Sequence, residues 1–326
     1  MLIAEIGSVH DGSFGNALKL IELAAKCGAD AVKFQTHIGR AESLKSAPNP
    51  GYFQDESRIE YFDRTSFTLE QWHKLKEISK EFGLKFISSP FSIEAVDMLE
   101  DVGLDYYKIP SGEVTNTPLL EHVLKTGKPI ILSSGMSSWK ELDEAYYHLK
   151  SANDLTIMQC TSEYPCKVEN VGLNVITELK QRYNRNVGFS DHTLGFAAPI
   201  AAAALGASMI EKHFTFSRHM YGSDAKNSME PEDFRVLSRS LKDTWLMIEN
   251  PVDKSSNHKF SEMKKIFEKS IVAGANLKKG KRIEFKDLKF KKPGTGIPAA
   301  DYKFLLGKTL LEDLQEDDFF NLKMIK

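Results

Sequence analysis

The chain of 326 residues is short of several features that mark whole protein classes. It has three cysteines, Cys27, Cys160 and Cys166, an odd number without CxxC spacing. That excludes a disulfide framework and a structural zinc ribbon, and it suits a reducing compartment. The formal net charge is only −2, so nothing points to a broad cationic surface for nucleic acid or anionic membrane. The alanine-rich run "AAPIAAAALGA" near residue 200 is too short to cross a bilayer. The N-terminus enters "LIAEIG" directly, with neither a basic segment nor a long apolar one, so a cytoplasmic location is expected. No GxxxxGK[ST] loop occurs, and "EIGSVHDGSFGNA" does not match GxGxxG. Neither a P-loop nor a dinucleotide fingerprint is therefore present.

What the chain does have is alternation. Short apolar runs, "LIAEIG", "DAVKFQT", "KFISSP", "YYKIPS", "PIILSS", "LTIMQC", "NVGFSD" and "SMIEKH", are separated by longer segments with apolar residues at three- and four-residue spacing. "NALKLIELAAKCG" is one such segment, closed by a glycine; "TLEQWHKLKEISKEFG" and "SWKELDEAYYHLK" repeat the device. Strict β–α alternation implies a parallel sheet. Eight units within roughly 215 residues predict an α/β protein with a closed (β/α)8 barrel, over residues 1–250.

A barrel of this kind gathers its chemistry at the C-terminal ends of its strands. Every run here ends in polar groups: Glu5; Lys33 and Gln35; Ser88 and Ser89; Lys108, Ser111 and Glu113; Ser133 and Ser134; Gln159, Thr161 and Ser162; Ser190, Asp191 and His192; Glu211 and His213. Taken singly, a serine there is a helix N-cap and a lysine a solvated loop charge. Their convergence at all eight ends argues for one site. His192 and His213, at the ends of adjacent strands, form a candidate two-histidine metal site with positions open to water and substrate. Glu5, Glu113, Asp191 and Glu211 are carboxylates able to ligate, to orient the imidazoles or to move protons. Lys33 and Lys108, with Ser89, Ser111, Ser133 and Ser190, suit a phosphate-bearing ligand. Asp224 stands in a long excursion after the last strand, where either a substrate loop or a plain turn is expected.

Beyond residue 250 the pattern changes. Residues 251–267 read as a polar linker, and 268–326 as a small β-rich domain with one helical pattern at Ala299–Leu306. A unit of that size is marginal alone, so docking on a barrel, its own or a neighbour's, is expected.

The motifs "AEIGSVHDG", "VKFQTH", "ISSPF", "YKIPSGE", "ILSSGM", "CTSEYP", "GFSDHT", "EKHFT", "MYGSD" and "KKPGTGI" run in order over almost the whole chain. Together they resemble the sialic acid synthase family, which includes N-acetylneuraminate, legionaminate and pseudaminate synthases. The tail resembles the antifreeze-like (SAF, β-clip) domain of that family. The resemblance implies condensation of phosphoenolpyruvate with an open-chain N-acyl amino-hexose, giving a nine-carbon α-keto acid and phosphate. It also implies a divalent metal, Mn2+ or Mg2+, on His192 and His213. Lys33, Ser89, Lys108, Ser111, Ser133, Ser162 and Ser190 fall at phosphoenolpyruvate positions. Glu5, Gln35, Tyr164 and Asp224 fall where the sugar is held, and Glu113 beside the metal-bound water, which it is expected to activate.

Three residues depart from the family pattern. Val9 replaces an asparagine, Ser162 replaces an asparagine near phosphoenolpyruvate, and Lys292 replaces an arginine. That arginine reaches from one subunit's tail into the partner's barrel, so the resemblance also implies a domain-swapped homodimer. Lysine keeps the charge but lacks the planar fork. The nearest alternatives change the sugar, to a 2,4-diacetamido-2,4,6-trideoxy-hexose or a 6-phosphorylated N-acetylmannosamine, with selectivity placed in residues 38–67 and around Asp224. More distant ones are a metal-dependent pyruvate aldolase, which releases no phosphate, and a non-catalytic carbohydrate-binding or assembly protein.

Overall fold

The computed structural model describes residues 1–49, 56–222, 224–256 and 258–326, in two units, Met1–Asn250 and Pro251–Lys326. In the first, eight strands follow the eight apolar runs: β1 (Leu2–Gly7), β2 (Ala31–Thr36), β3 (Lys85–Pro90), β4 (Tyr106–Ile109), β5 (Ile130–Ser133), β6 (Leu155–Cys160), β7 (Asn186–Asp191) and β8 (Met209–His213). Neighbours pair in parallel, and β8 returns to β1, closing the barrel. Proline sets two limits, because it has no N–H to give the ladder: β4 stops before Pro110 and β5 begins after Pro129.

Strand alternation sorts the side chains into two environments. Ile3, Ala31, Ile87, Ile131, Met158 and Met209 point inward and form a buried apolar layer across the lower barrel. Their outward neighbours, among them Phe34, Phe86, Tyr107 and Phe189, join the core beneath the surrounding helices. The helix Phe14–Lys26 illustrates the fit. It buries Ala17, Leu20, Ile21 and Ala24 on one face, and the Ser13 side chain accepts from the Asn16 N–H at its start. Capping boxes at Thr68/Gln71 and Ser138/Glu141 begin two further helices; each such cap contributes about 1 kcal/mol. Among the described residues, Ser92 and Ser138 cap helices, whereas Ser89, Ser133 and Ser190 do not. Those three serve the barrel mouth.

In the second unit, β9 (Ser270–Ala273) and β10 (Leu288–Lys291) pair antiparallel. A separate small core, including Ile271, Leu277, Ile283, Leu305 and Phe320, lies against them. The stretch read as a linker, 251–267, contains a short helix at Ser261–Phe267, and Asn257 within it lies outside the described residues. The helical pattern expected at Ala299–Leu306 is a 3-10 helix, Ala299–Phe304. Among the described residues, no helix is long and apolar enough to cross a membrane.

Candidate active site

Directly above the apolar layer sit four buried charges, from β1, β2, β4 and β8. Lys33 Nζ is 2.9 Å from Glu5 Oε1 and 3.6 Å from Glu211 Oε1, and Lys108 Nζ is 2.7 Å from Glu211 Oε2. Two ammonium groups and two carboxyls thus form one alternating chain. Burial opposes ionisation of Glu211, but Lys108 and Lys33 outweigh it and hold the carboxyl well below the usual range. Glu5 goes the other way. Burial, with the Glu211 charge beside it, pushes it up despite Lys33. Ser89 Oγ accepts from Lys33 (3.3 Å), and Ser190 Oγ donates to Glu211 (3.2 Å).

Around this layer hydroxyls converge on the loop after β5. Ser111 and Ser133 share a hydrogen bond of 2.9 Å, and the Gly135 N–H donates to Ser111 Oγ. A Cβ on Gly135 would collide with the Ser162 and Ser111 hydroxyls, so only glycine lets this nest of small polar groups close. Gly7 plays the same part at the end of β1. It sits at φ +52°, a left-handed conformation, and a Cβ there would lie 2.6 Å from Asp224 Oδ2. Asp224 reaches across from the loop after β8 and accepts from the Ser8 N–H (3.2 Å) and hydroxyl (3.0 Å).

The two histidines face each other, with ring centroids 5.5 Å apart. The Tyr164 ring stacks 4.0 Å from His192 and lies 5.9 Å from His213. His192 Nδ1 is 2.7 Å from the Thr161 carbonyl, which can only accept, so Nδ1 carries hydrogen and, in the neutral ring, Nε2 is the nitrogen with the lone pair. His213 Nδ1 is buried without a hydrogen-bond partner. Burial lowers the His213 pKa to about 4, which keeps the ring neutral. One oriented imidazole and one unmet, neutral ring nitrogen form a donor set suited to a divalent cation. Among the described residues, no three His, Cys, Asp or Glu side chains group as a cation cage, so an ion held here would complete its shell with water or substrate.

Glu113 lies in a 3-10 turn after β4, where its Oε2 accepts from Asn116 (2.7 Å). Burial raises its pKa, and Glu42 adds to the effect. Lys292 belongs to the second unit, where its ammonium lies 5.1 Å from the centre of the Phe267 ring.

The barrel therefore brings together Glu5, Lys33, Gln35, Ser89, Lys108, Ser111, Ser133, Ser162, Tyr164, Ser190, His192, His213 and Asp224. Some polar strand ends turn away instead. Asp191, read as a candidate ligand or acid/base group, faces outward and pairs with Lys212 at 2.5 Å. Ser88 bonds Thr36 and the Phe34 carbonyl, and Ser134 donates to Gln159, which bonds the Val171 carbonyl. Strand parity separates these from their neighbours. Three residues near the mouth do not follow from the polar strand ends: Cys160, buried 4.0 Å from His192 Nδ1, and the pair His37 and Glu42. Cys160 was legible, since it keeps step with Met158 along β6. Of the residues expected to govern selectivity, 50–55 and Ser223 lie outside the described residues.

Known proteins resemble this chain in sequence and fold. The NeuB family model matches residues 20–253, and the SAF domain model matches 268–326. An N,N'-diacetyllegionaminic acid synthase of Campylobacter jejuni is 37% identical, covering 98% of both chains. The human N-acetylneuraminate-9-phosphate synthase is 32% identical, over 97% of this chain and 90% of its own. Among solved structures, an N-acetylneuraminic acid synthetase of Leptospira borgpetersenii, in complex with citrate, superposes with a TM-score of 0.71. It is 29% identical and covers 80% of this chain and 89% of its own.

Proposed function

The chain belongs to the NeuB family and carries a SAF domain, and on that footing we propose that it condenses phosphoenolpyruvate with an N-acyl amino-hexose and water, giving a nine-carbon α-keto acid and phosphate. N-acetylmannosamine is the first candidate sugar. The observation that carries the reading is the stacking of two sets of groups in one mouth: buried lysines with a hydroxyl nest below, and two facing histidines above.

Lys33 and Lys108, with Ser89, Ser111, Ser133, Ser162 and Ser190, hold the phosphate and carboxylate of phosphoenolpyruvate, orienting its methylene carbon towards the mouth. Glu5, Gln35, Tyr164 and Asp224 hold the open-chain sugar. A divalent cation, Mn2+ or Mg2+, on His192 and His213 would supply Lewis-acid polarisation of the aldehyde oxygen. The enol carbon bonds to the aldehyde carbon as the carbonyl π bond breaks; the aldehyde oxygen takes that electron pair and a proton from solvent, and an oxocarbenium centre is left at the former C2. Water adds there and Glu113 takes one of its protons; the C–O bond to phosphate then breaks as the remaining hydroxyl passes its proton to the departing phosphate, leaving the keto acid. The raised pKa of Glu113 suits it to receive that proton.

The Campylobacter relative's name favours a second reading, in which the sugar is a 2,4-diacetamido-2,4,6-trideoxy-hexose. Phosphate release from phosphoenolpyruvate, with N-acetylmannosamine, its 6-phosphate and the trideoxy sugars tested in parallel, decides between them. Phosphate-free formation of a pyruvate adduct would refute the synthase and indicate an aldolase. Chelation, or His192→Ala with His213→Ala, should abolish turnover; full activity after either would refute the metal assignment. In the domain-swapped homodimer proposed here, Lys292 completes the partner's mouth. A fully active monomer in gel filtration would refute that arrangement. The reaction is placed in the cytoplasm.

A further inference from the structure

We propose that His37 is a positioning residue for the sugar end of the mouth: it donates through both ring nitrogens, to Glu42 and Gln35, and thereby fixes Gln35 so that Glu5 keeps one oxygen free for substrate. The identity of that substrate as an amino-sugar rests on the synthase reading; the hydrogen bonding does not.

The donor count follows from the contacts. Gln35 Nε2 donates to Glu5 Oε1 at 2.8 Å, which turns the Gln35 amide oxygen towards His37 Nε2 at 3.3 Å. An amide oxygen only accepts, so Nε2 must carry hydrogen. His37 Nδ1 faces both oxygens of Glu42, at 3.0 and 2.9 Å, and an ionised carboxylate also only accepts. Without hydrogen on Nε2, the Gln35 amide would turn over and set its oxygen against Glu5 Oε1. The ring has no room to swing away. Phe62 and Phe91 stack on its two faces at 3.8 and 4.0 Å, with interplanar angles of 9° and 20°. Their electron-rich faces also suit an imidazole that carries both hydrogens.

The consequence appears at Glu5. Its Oε1 receives both Lys33 and Gln35, while its Oε2 is buried with no partner. A buried carboxylate oxygen left unmet is unfavourable until a ligand donor meets it. A sugar hydroxyl is such a donor. His37 thus acts at one remove, through Gln35, by keeping both donors on one oxygen and leaving the other for substrate. His37 follows β2 directly and Glu42 ends the short helix Gly39–Glu42 after it, so the support for the mouth is built within one short stretch of chain.

The test pairs kinetics with nitrogen-15 spectroscopy of the full-length protein. His37→Phe should raise the amino-sugar KM at least tenfold and leave the phosphoenolpyruvate KM within twofold. His37→Gln, whose amide can replace the Nε2 donor, should keep the sugar KM within threefold. His37→Asn, which restores only the donor to Glu42, should resemble His37→Phe. Sugar KM values that are unchanged, or raised alike in all three variants, overturn the proposal. In histidine-labelled wild-type protein, one imidazole should show two slowly exchanging ring N–H signals, absent from His37→Gln. A single such N–H on His37 overturns the proposal even if the variants fail to fold. No phosphate release by the wild type with any amino-sugar would refute the synthase reading instead, and the ring N–H count would still decide the role of His37.

Discussion

Replacing Lys212 by methionine should cost the barrel about 3–5 kcal/mol, the usual effect of stranding one member of a buried ion pair. The side chains of Lys212 and Asp191 are 1% and 0% exposed and meet at 2.5 Å, one residue before His213 and His192 respectively. Lys212 also donates to the Thr193 carbonyl, and Asp191 accepts from the Thr193 N–H and hydroxyl. Methionine nearly preserves the volume of lysine, so little of the loss comes from a cavity. It comes from a carboxylate left in the wall with only the two donors of Thr193. Adding Asp191→Asn removes the stranded charge and keeps an acceptor for Thr193, so the double variant should recover more than half of the loss. Trp72, Trp139 and Trp245 all lie in Met1–Asn250, so tryptophan fluorescence reports on the barrel alone. With a urea slope of about 3 kcal/mol/M, the single variant's midpoint should fall by roughly 1–1.7 M. A fall below about 0.3 M on that scale, or a double variant no more stable than the single, would refute the stranded-charge argument.

Three further outcomes are expected. Gly135→Ala should raise the phosphoenolpyruvate KM at least tenfold with little change for the sugar, because its methyl group would enter the Ser111–Ser162 nest; equal effects on both substrates would contradict this. Gly7→Ala should raise the sugar KM and cost about 1–2 kcal/mol, since φ is +52° and Asp224 stands in the way; urea melts and initial rates check both. Burial lowers the His10 pKa to about 4, whereas the unfolded chain titrates near 6.5. Its stabilising contribution is complete above pH 6.5, declines as pH falls towards 4 and is flat below, a change of about 3 kcal/mol. His213, also lowered to about 4, contributes in the same window, so His10→Gln should reduce that slope by roughly half, and an unchanged slope would count against it.

The barrel was legible because each strand is a short apolar run bounded by turn residues, and the periodicity between runs is helical. His192 and His213 were legible because strand order puts them side by side. What strand ends alone do not reveal is facing. "SSP" at β3 offers two serines, and only Ser89 enters the mouth; "SDH" at β7 offers Ser190 and His192 inward but sends Asp191 out to Lys212. Alternation along each strand, counted from Ile87 in β3 and from Gly188 in β7, separates these cases without coordinates. His37 could not be read in that way. Its role depends on Phe62, Phe91 and Glu42, two of them distant in sequence, and no local pattern announces a ring held between two aromatic faces.

The apolar layer of Ile3, Ala31, Ile87, Ile131, Met158 and Met209 closes the barrel below its charged groups. The mouth is therefore a blind well, with Lys33 and Lys108 buried at its floor and Tyr164, half exposed, at its rim. A well with one door imposes a queue. On the proposed assignment, the phosphorylated acid must enter before the sugar that covers it, and a sugar bound first would bar the way. The kinetic signature is compulsory-order addition, with the amino-sugar inhibiting at high concentration by closing the well while it is empty.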